Sequence, residues 1–327
     1  MFKELEEREM CLEIPRELSK METLDKLIKI SPRTRQPILL HKNHRWVIPL
    51  IAFYKKKLKM PEPWNLVVFD YHKDTIDPSD SLLQEISNLG SGSNTSISGL
   101  IRLCENEFRK DPRTGIPLND DWVKAGMELG LIGNVVFFGV CHNNCYEESA
   151  PIDITCEEYV DMNSVNHLIH YSSEFPADLL DENQPMMDLY RRKDYEVLWE
   201  TINWEYSSER KCFGFVENPK RPVMVDIDLD AFVAHWGTQP QYILPWSETI
   251  FRDKSFGRER SEKAGQNFAT EWGGKRFLDE LLKRSPIVTI ALEPECCGGI
   301  ENSLFTLRML NRFLFDSNLS IPESLSV

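Results

Sequence analysis

The stretch NLVVFDYHKDT, residues 65–75, places Asp70, His72 and Asp74 at every second position where an apolar run gives out. The run itself has the length and β-branched content of a strand buried on both faces. Before it, QPILLHKNH reads as a shorter strand and RWVIPLIAFYKKKL as a helix with a basic end. Strand, helix and strand within about forty residues make a βαβ unit, and therefore part of a parallel sheet.

The same alternation continues downstream. SNLGSGSNTSISG reads as a flexible loop, NDDWVKAGMELGLI as a helix and NVVFFGV as a strand. RPVMVDIDLDAF returns to the buried-strand pattern, followed by a helix at GGKRFLDELLKR, a strand at PIVTIALE, a loop at PECCGG and a closing helix at ENSLFTLRMLNRFLF. Residues 1–34, charged and broken at Ser31-Pro32, read as an N-terminal helical arm, and residues 35–327 as a single α/β domain. Residues 141–211 are acidic and irregular, with short helical patches such as NSVNHLIHY, and read as an insertion or lid. Its span 146–206 is a candidate wall for a substrate groove.

Composition bounds the function. A 41% hydrophobic content with 28% charged residues is that of a globular chain with a real core. The formal charge of −14 argues against nucleic acid, whose affinity comes from cations neutralising phosphates, and towards cationic partners. The charged N-terminus is unlike a signal peptide and no apolar run is long enough to span a bilayer, so a cytoplasmic location with no membrane partner is expected. Eight cysteines without a dense framework suit reduced thiols. Cys141, His142, Cys145 and Cys156 match no standard zinc spacing and read as loop thiols, and the Cys296-Cys297 pair reads as packing rather than ligation.

Four strands end in polar groups: His41 to His44, then Asp70-x-His72-x-Asp74, Asp226-x-Asp228-x-Asp230, and Glu293. In open parallel sheets ligands bind beyond the carboxyl ends of the strands, so these residues can share one crevice. Carboxylates crowded after apolar strands repel unless cations neutralise them, which points to a metal site. Alternate residues on an extended strand are about 6.6 Å apart, too far for three to grip one ion, so two ions or a bend are implied. A carboxylate and imidazole donor set suits Mn²⁺, with Zn²⁺, Fe²⁺ or Co²⁺ also compatible and Mg²⁺ less so.

FDYHKDT resembles the D-A-H-x-D signature of the ureohydrolases, the arginases and agmatinases, and VDIDLDAF resembles their S-x-D-x-D signature. KNH is similar to the segment that supplies a further histidine. The nearer resemblance is to a divergent branch, the peptide arginases, which convert arginine side chains in ribosomally made peptides to ornithine and release urea. It covers the strands between about Gln36 and Gly299 and implies the three-layer α/β/α arginase/deacetylase-like fold, with a mainly parallel sheet. It also implies two Mn²⁺ per subunit, one held by His44, Asp70, Asp74 and Asp228, the other by His72, Asp70, Asp228 and Asp230. Asp226 stands where the family has serine and would support a ligand from behind. Glu293 would pair with the guanidinium, and Asp74 would relay a proton. The four ligating carboxylates, two divalent cations and one hydroxide leave a single net negative charge, which a guanidinium neutralises.

Departures from the pattern bear on the substrate. Ile76 stands where arginases place an asparagine that holds the α-substituents of a free amino acid, as expected if those groups are already peptide bonds. Tyr71 replaces alanine, and the loop histidine that usually shuttles protons has no clear equivalent; His142, His167 and His170 are the nearest options, each better read as surface or packing. The expected partner is an arginine-containing precursor peptide, and a homo-oligomer is compatible with the chain. Three other readings stay open: a small-molecule ureohydrolase, a single-zinc deacetylase-type hydrolase, which would carry histidine where this chain has Asp230, and a metal-stabilised interaction module without turnover.

Overall fold

The computed structural model describes residues 28–29, 37–41, 43–105, 118–140, 155–176, 191–210, 212–235, 242–256, 274–317 and 319. In chain order the strands are β1 (Ile28–Lys29), β2 (Pro37–His41), β3 (Trp64–Phe69), β4 (Ile132–Phe138), β5 (Thr155–Val160), β6 (Asn166–Ser172), β7 (Trp204–Ser207), β8 (Cys212–Phe215), β9 (Val223–Asp228), β10 (Val233–His235), β11 (Ile243–Pro245) and β12 (Val288–Ala291). The helices are α1 (Val47–Leu58), α2 (Asp80–Ser87), α3 (Ile97–Glu105), α4 (Trp122–Glu128), α5 (Lys193–Thr201), α6 (Glu248–Phe256), α7 (Gly274–Arg284) and α8 (Ile300–Leu314).

Eight strands form one sheet in the order β1-β2-β12-β9-β3-β4-β6-β5. The six from β2 to β6 are mutually parallel, and β1 and β5 close the edges antiparallel. Both faces of the central strands are covered, which explains their continuous apolar runs. On one face Leu39, Leu66, Val68, Val135, Phe137 and Met224 pack against α1, α3 and α4. On the other, Leu40, Val67, Phe69, Val136, Ile227 and Ile290 pack against α5, α6, α7 and α8. The period of two thus sorts each strand between two cores, giving a mainly parallel sheet sandwiched by helices.

Local signals place the helices. Ser79 Oγ caps α2 by accepting from the Leu82 amide at 3.3 Å, and α1 ends in Lys55, Lys56 and Lys57 before Lys59 turns left-handed at φ 55°. In α7 the buried Phe277, Leu278, Leu281 and Leu282 recur at helical spacing.

Three expectations change. NSVNHLIHY, expected to be helical, contains β6, where the alternation of His167, Ile169 and Tyr171 buries one side and His167 bonds to the Gly133 carbonyl and Asp161. The span 141–211 is accordingly not a separate insertion or lid throughout: its described part supplies two strands of the eight-stranded sheet, β5 and β6, besides β7 of a small two-stranded sheet, and Leu198 and Trp199 of α5 join the core. The SNLGSGSNTSISG segment is ordered into a short 3₁₀ turn at Gly92–Asn94 and the start of α3. There Gly90 takes φ 85°, and a Cβ would stand 2.9 Å from the Asn94 carbonyl oxygen. The expected N-terminal helical arm lies outside the described residues except for Ile28 and Lys29, which are strand. No helix among the described residues is long and apolar enough to cross a membrane.

Ile290 sits on β12 between β2 and β9 with no exposure. Ile290→Ala should lower unfolding free energy by about 2–5 kcal/mol, read as a fall in denaturation midpoint at unchanged m-value.

Candidate metal centre

The four strands expected to end in polar groups, β2, β12, β9 and β3, are consecutive neighbours in the sheet. Being parallel, they deliver their carboxyl ends to one edge. Phe69 pairs with Ile227 and Ala291 with both His41 and Asp228, so Asp70 follows beside Asp228, and Glu293 lies two residues beyond that level. Parity puts Asp70 on the face of Leu66 and Val68, and Asp226 and Asp228 on the face of Met224. His44 and Trp122 flank that same face.

The chain bends where ligation needs it to. β3 stops at Phe69 and Asp74 adopts φ 42°; β9 stops at Asp228 and the 3₁₀ turn Leu229–Phe232 swings Asp230 inwards; Glu293 takes φ 33° after β12. Left-handed backbone at a glutamate is unfavourable and concentrates where function holds it. Here the Glu293 carbonyl accepts from the amides of Cys296 and Cys297 at 3.0 and 2.9 Å, and its Oε1 accepts from the His44 amide at 3.1 Å.

Potential ligand atoms converge in four overlapping sets, each within 4.8 Å: His44, Asp70 and Asp74; Asp70, Asp228 and Asp230; His44, Asp228 and Glu293; and His72, Asp230 and Cys296. Asp70 belongs to two sets and so does Asp228. Asp70, Asp228 and Asp230 are almost wholly buried, whereas the His72 side chain is 46% exposed at the mouth. Asp70 Oδ1 accepts from the His72 amide at 2.6 Å, while its buried Oδ2 has no hydrogen-bond partner among the described residues. An orphaned carboxylate oxygen facing two more carboxylates fits a bound cation. These His and Asp clusters can hold a metal ion.

Surrounding groups aim the ligands. His44 Nε2 lies 3.0 Å from Asp226 Oδ2, which turns Nδ1 to the cluster, 2.8 Å from Asp74 Oδ2 and 3.6 Å from Asp228 Oδ2. A carboxylate behind a ligating imidazole fixes its tautomer and raises its basicity. Asp226 also accepts from the Thr289 hydroxyl, and His41 Nε2 stands 3.8 Å from its Oδ1. Trp122 stacks on His44 at 5.3 Å and its indole N–H donates to Asp74 Oδ2 at 2.9 Å. His72 Nδ1 is 2.8 Å from Asp230 Oδ2, and the Tyr71 amide donates to Asp230 Oδ1 at 3.2 Å.

The electrostatics show what the cluster lacks. Burial, reinforced by neighbouring carboxylates, holds Asp70 and Asp228 well above the usual carboxylate range. Burial likewise lifts Glu293 to about 7. Burial would raise Asp226 and Asp230 too, but His44 and His41 beside the first, and His72 beside the second, outweigh it and hold both low. Desolvation opposes the imidazolium of His44 and His72, yet Asp226 and Asp74 raise the former, and Asp230 lifts the latter to about 10. The carboxylates thus raise the proton affinity of both imidazoles, in the place where a bound cation would supply the positive charge.

All eight predicted residues, His44, Asp70, His72, Asp74, Asp226, Asp228, Asp230 and Glu293, therefore reach one region. His41 donates from Nδ1 to the Asn43 carbonyl at 2.8 Å, a local structural role. His167 is occupied at β6, and His142 lies outside the described residues. Sequence reading missed Trp122, whose helix is buried along its whole length and reads as core, and took Cys296 with Cys297 as packing; Cys297 does pack in the core, while Cys296 lies in a candidate ligand group. Comparison of the chain with protein-family models gives no match, and comparison with curated proteins gives none either.

Two outcomes are expected. Asp226→Asn should weaken divalent-metal affinity about ten- to a hundredfold by calorimetry, whereas unchanged affinity would contradict its role behind His44. In metal-free protein Glu293 binds its proton more tightly when folded, so its contribution is complete below its ordinary 4.5 and is lost as pH rises to about 7. Asp70 and Asp228, raised as well, act in the same direction. Metal-free stability should fall across that window, Glu293→Gln should flatten part of the fall, and a saturating divalent ion should raise Tm more at its upper end than at its lower; equal Tm gains at both ends would contradict the assignment.

Proposed function

We propose that the protein is a binuclear-metal hydrolase of guanidinium groups, acting on arginine side chains within a peptide to give ornithine and urea, with divalent cations of the Mn²⁺ class as its metals. The observation that carries this reading is the double membership of Asp70, at once grouped with His44 and Asp74 and with Asp228 and Asp230. A single-ion site needs no such shared carboxylate, and Asp230 supplies an anionic ligand that a one-zinc deacetylase-type site does without.

Bound divalent cations supply positive charge that acidifies water and stabilises the developing negative charge of the transition state. The protein's own residues provide the rest. Asp70 and Asp228 stand between the two groups of ligands and fix their separation. Glu293, oriented by the His44 amide, accepts guanidinium N–H bonds, which as charge-assisted contacts give direction as well as affinity. Asp74, steadied by the Trp122 indole, hands a proton to the amine of the departing ornithine side chain as the C–N bond breaks. Water supplies the oxygen of urea, and its two protons go to the departing nitrogen, which leaves as the ornithine ammonium, one of them by way of Asp74. The net acidity of the region favours a cationic substrate over a neutral one.

Ile76, exposed near the site rather than a polar residue, offers no handle for free α-amino and α-carboxyl groups, which supports a peptide over free arginine. Agmatine, lacking the carboxyl group, remains a competing small substrate, and the assay separates them. Metal-loaded protein incubated with arginine-containing peptides should release urea, with a peptide mass loss equal to CN₂H₂, and should leave free arginine unchanged. Turnover of agmatine alone would transfer the reading to a small-molecule ureohydrolase, and metal uptake without urea from any guanidine would indicate a metal-stabilised module. Asp228→Ala should abolish metal binding and turnover together, while Glu293→Gln should keep the metals and lose about ten- to a hundredfold in kcat/KM, the worth of a charged hydrogen bond.

A further inference from the structure

We propose that Cys296 is a thiolate ligand, binding a divalent cation together with His72 and Asp230, so that the two metal positions differ in kind. The inference rests on the binuclear reading above and deepens it. The outer position, with sulfur and imidazole donors, takes a sulfur-tolerant ion such as Zn²⁺; the inner one, built from His44, Asp70 and Asp74, suits Mn²⁺.

The turn after β12 makes this arrangement. Glu293 reverses the chain at φ 33°, and the amides of Cys296 and Cys297 close onto its carbonyl. The two adjacent cysteines then diverge. Cys297 is fully buried in the core, its Sγ 3.5 Å from the Leu292 carbonyl, which is the packing role expected of both. Cys296 is only partly buried and presents its sulfur to an imidazole nitrogen of His72 and a carboxylate oxygen of Asp230, all three atoms lying within 4.8 Å of one another. Bonds of about 2.0 Å to nitrogen or oxygen and 2.3 Å to sulfur at a tetrahedral angle set two ligands of one zinc ion about 3.5 Å apart, inside the 4.8 Å that bounds these three atoms. This sulfur lies within 4.8 Å of two further donor atoms, a nitrogen and an oxygen.

The chemistry follows from donor softness. Oxygen donors alone discriminate weakly among divalent ions, whereas one thiolate favours Zn²⁺, Co²⁺ or Fe²⁺ over Mn²⁺ and Mg²⁺. The partly exposed His72 makes this the position more open to exchange with solution.

Full-length protein freed of metal and loaded with Co²⁺ tests the proposal, with bound cobalt counted by elemental analysis. The expected result is a near-ultraviolet sulfur-to-cobalt charge-transfer band that Cys296→Ser removes and Cys297→Ser retains. Should Cys297→Ser fail to fold, alkylation of the wild-type protein gives the same information: Zn²⁺ at about ten times its Kd should lower Cys296 labelling about tenfold by mass action and leave the exposed Cys156 unaffected. Cobalt bound without the band, a band that survives Cys296→Ser, or labelling of Cys296 indifferent to Zn²⁺ overturns the thiolate ligand and leaves the guanidinium reading standing. Failure to take up cobalt at all overturns both.

Discussion

Three carboxylates at the ends of two neighbouring parallel strands, Asp70, Asp228 and Asp230, are held out of water with oxygen atoms within 4.8 Å of one another. Like charges so placed cannot all ionise without positive charge among them. Without a cation, burial and crowding raise the proton affinity of Asp70 and Asp228, and the neighbouring carboxylates raise that of His44 and His72. That demand is what makes the region able to hold a cation. It also accounts for the neighbours: Asp226, itself stabilised by His44 and His41, keeps His44 basic and oriented.

The fold supplies the demand by geometry rather than by local sequence. A parallel sheet brings every strand's carboxyl end to the same edge, and the order β2-β12-β9-β3 makes neighbours of segments about 250 residues apart in the chain, as the bond between the His44 amide and Glu293 shows. Regular strand geometry would leave alternate side chains too far apart for one ion. The departures from it, left-handed Asp74 and Glu293 and the 3₁₀ turn at Leu229–Phe232, are the places where the chain curls its ligands together. Strain at those points is held by hydrogen bonds from the Trp122 indole, the His44 amide and the amides of the Cys296-Cys297 turn.

The outer and inner parts of the site differ in their surroundings. His44 is enclosed, stacked on Trp122 and backed by Asp226, so its geometry is fixed by packing. His72 stands at the mouth beside Tyr71, which in turn stacks on His235 at 4.2 Å.

Much of this was legible in the sequence because the signals are local. Apolar runs with helices between them give a parallel sheet, and D-x-H-x-D and D-x-D-x-D at strand ends announce ligands whatever their eventual partners. The span 141–211 was not, since the imidazoles and polar residues of NSVNHLIHY obscure a period-two pattern that becomes sheet only when β4 offers its edge. Trp122 and Cys296 carried no signal that distinguishes a site residue from a core one, because what separates them is the group they face. Spacing along the chain thus determined which residues are able to bind a metal. Only tertiary structure decided which of them meet, since strand order and three local bends set distances that no linear pattern encodes.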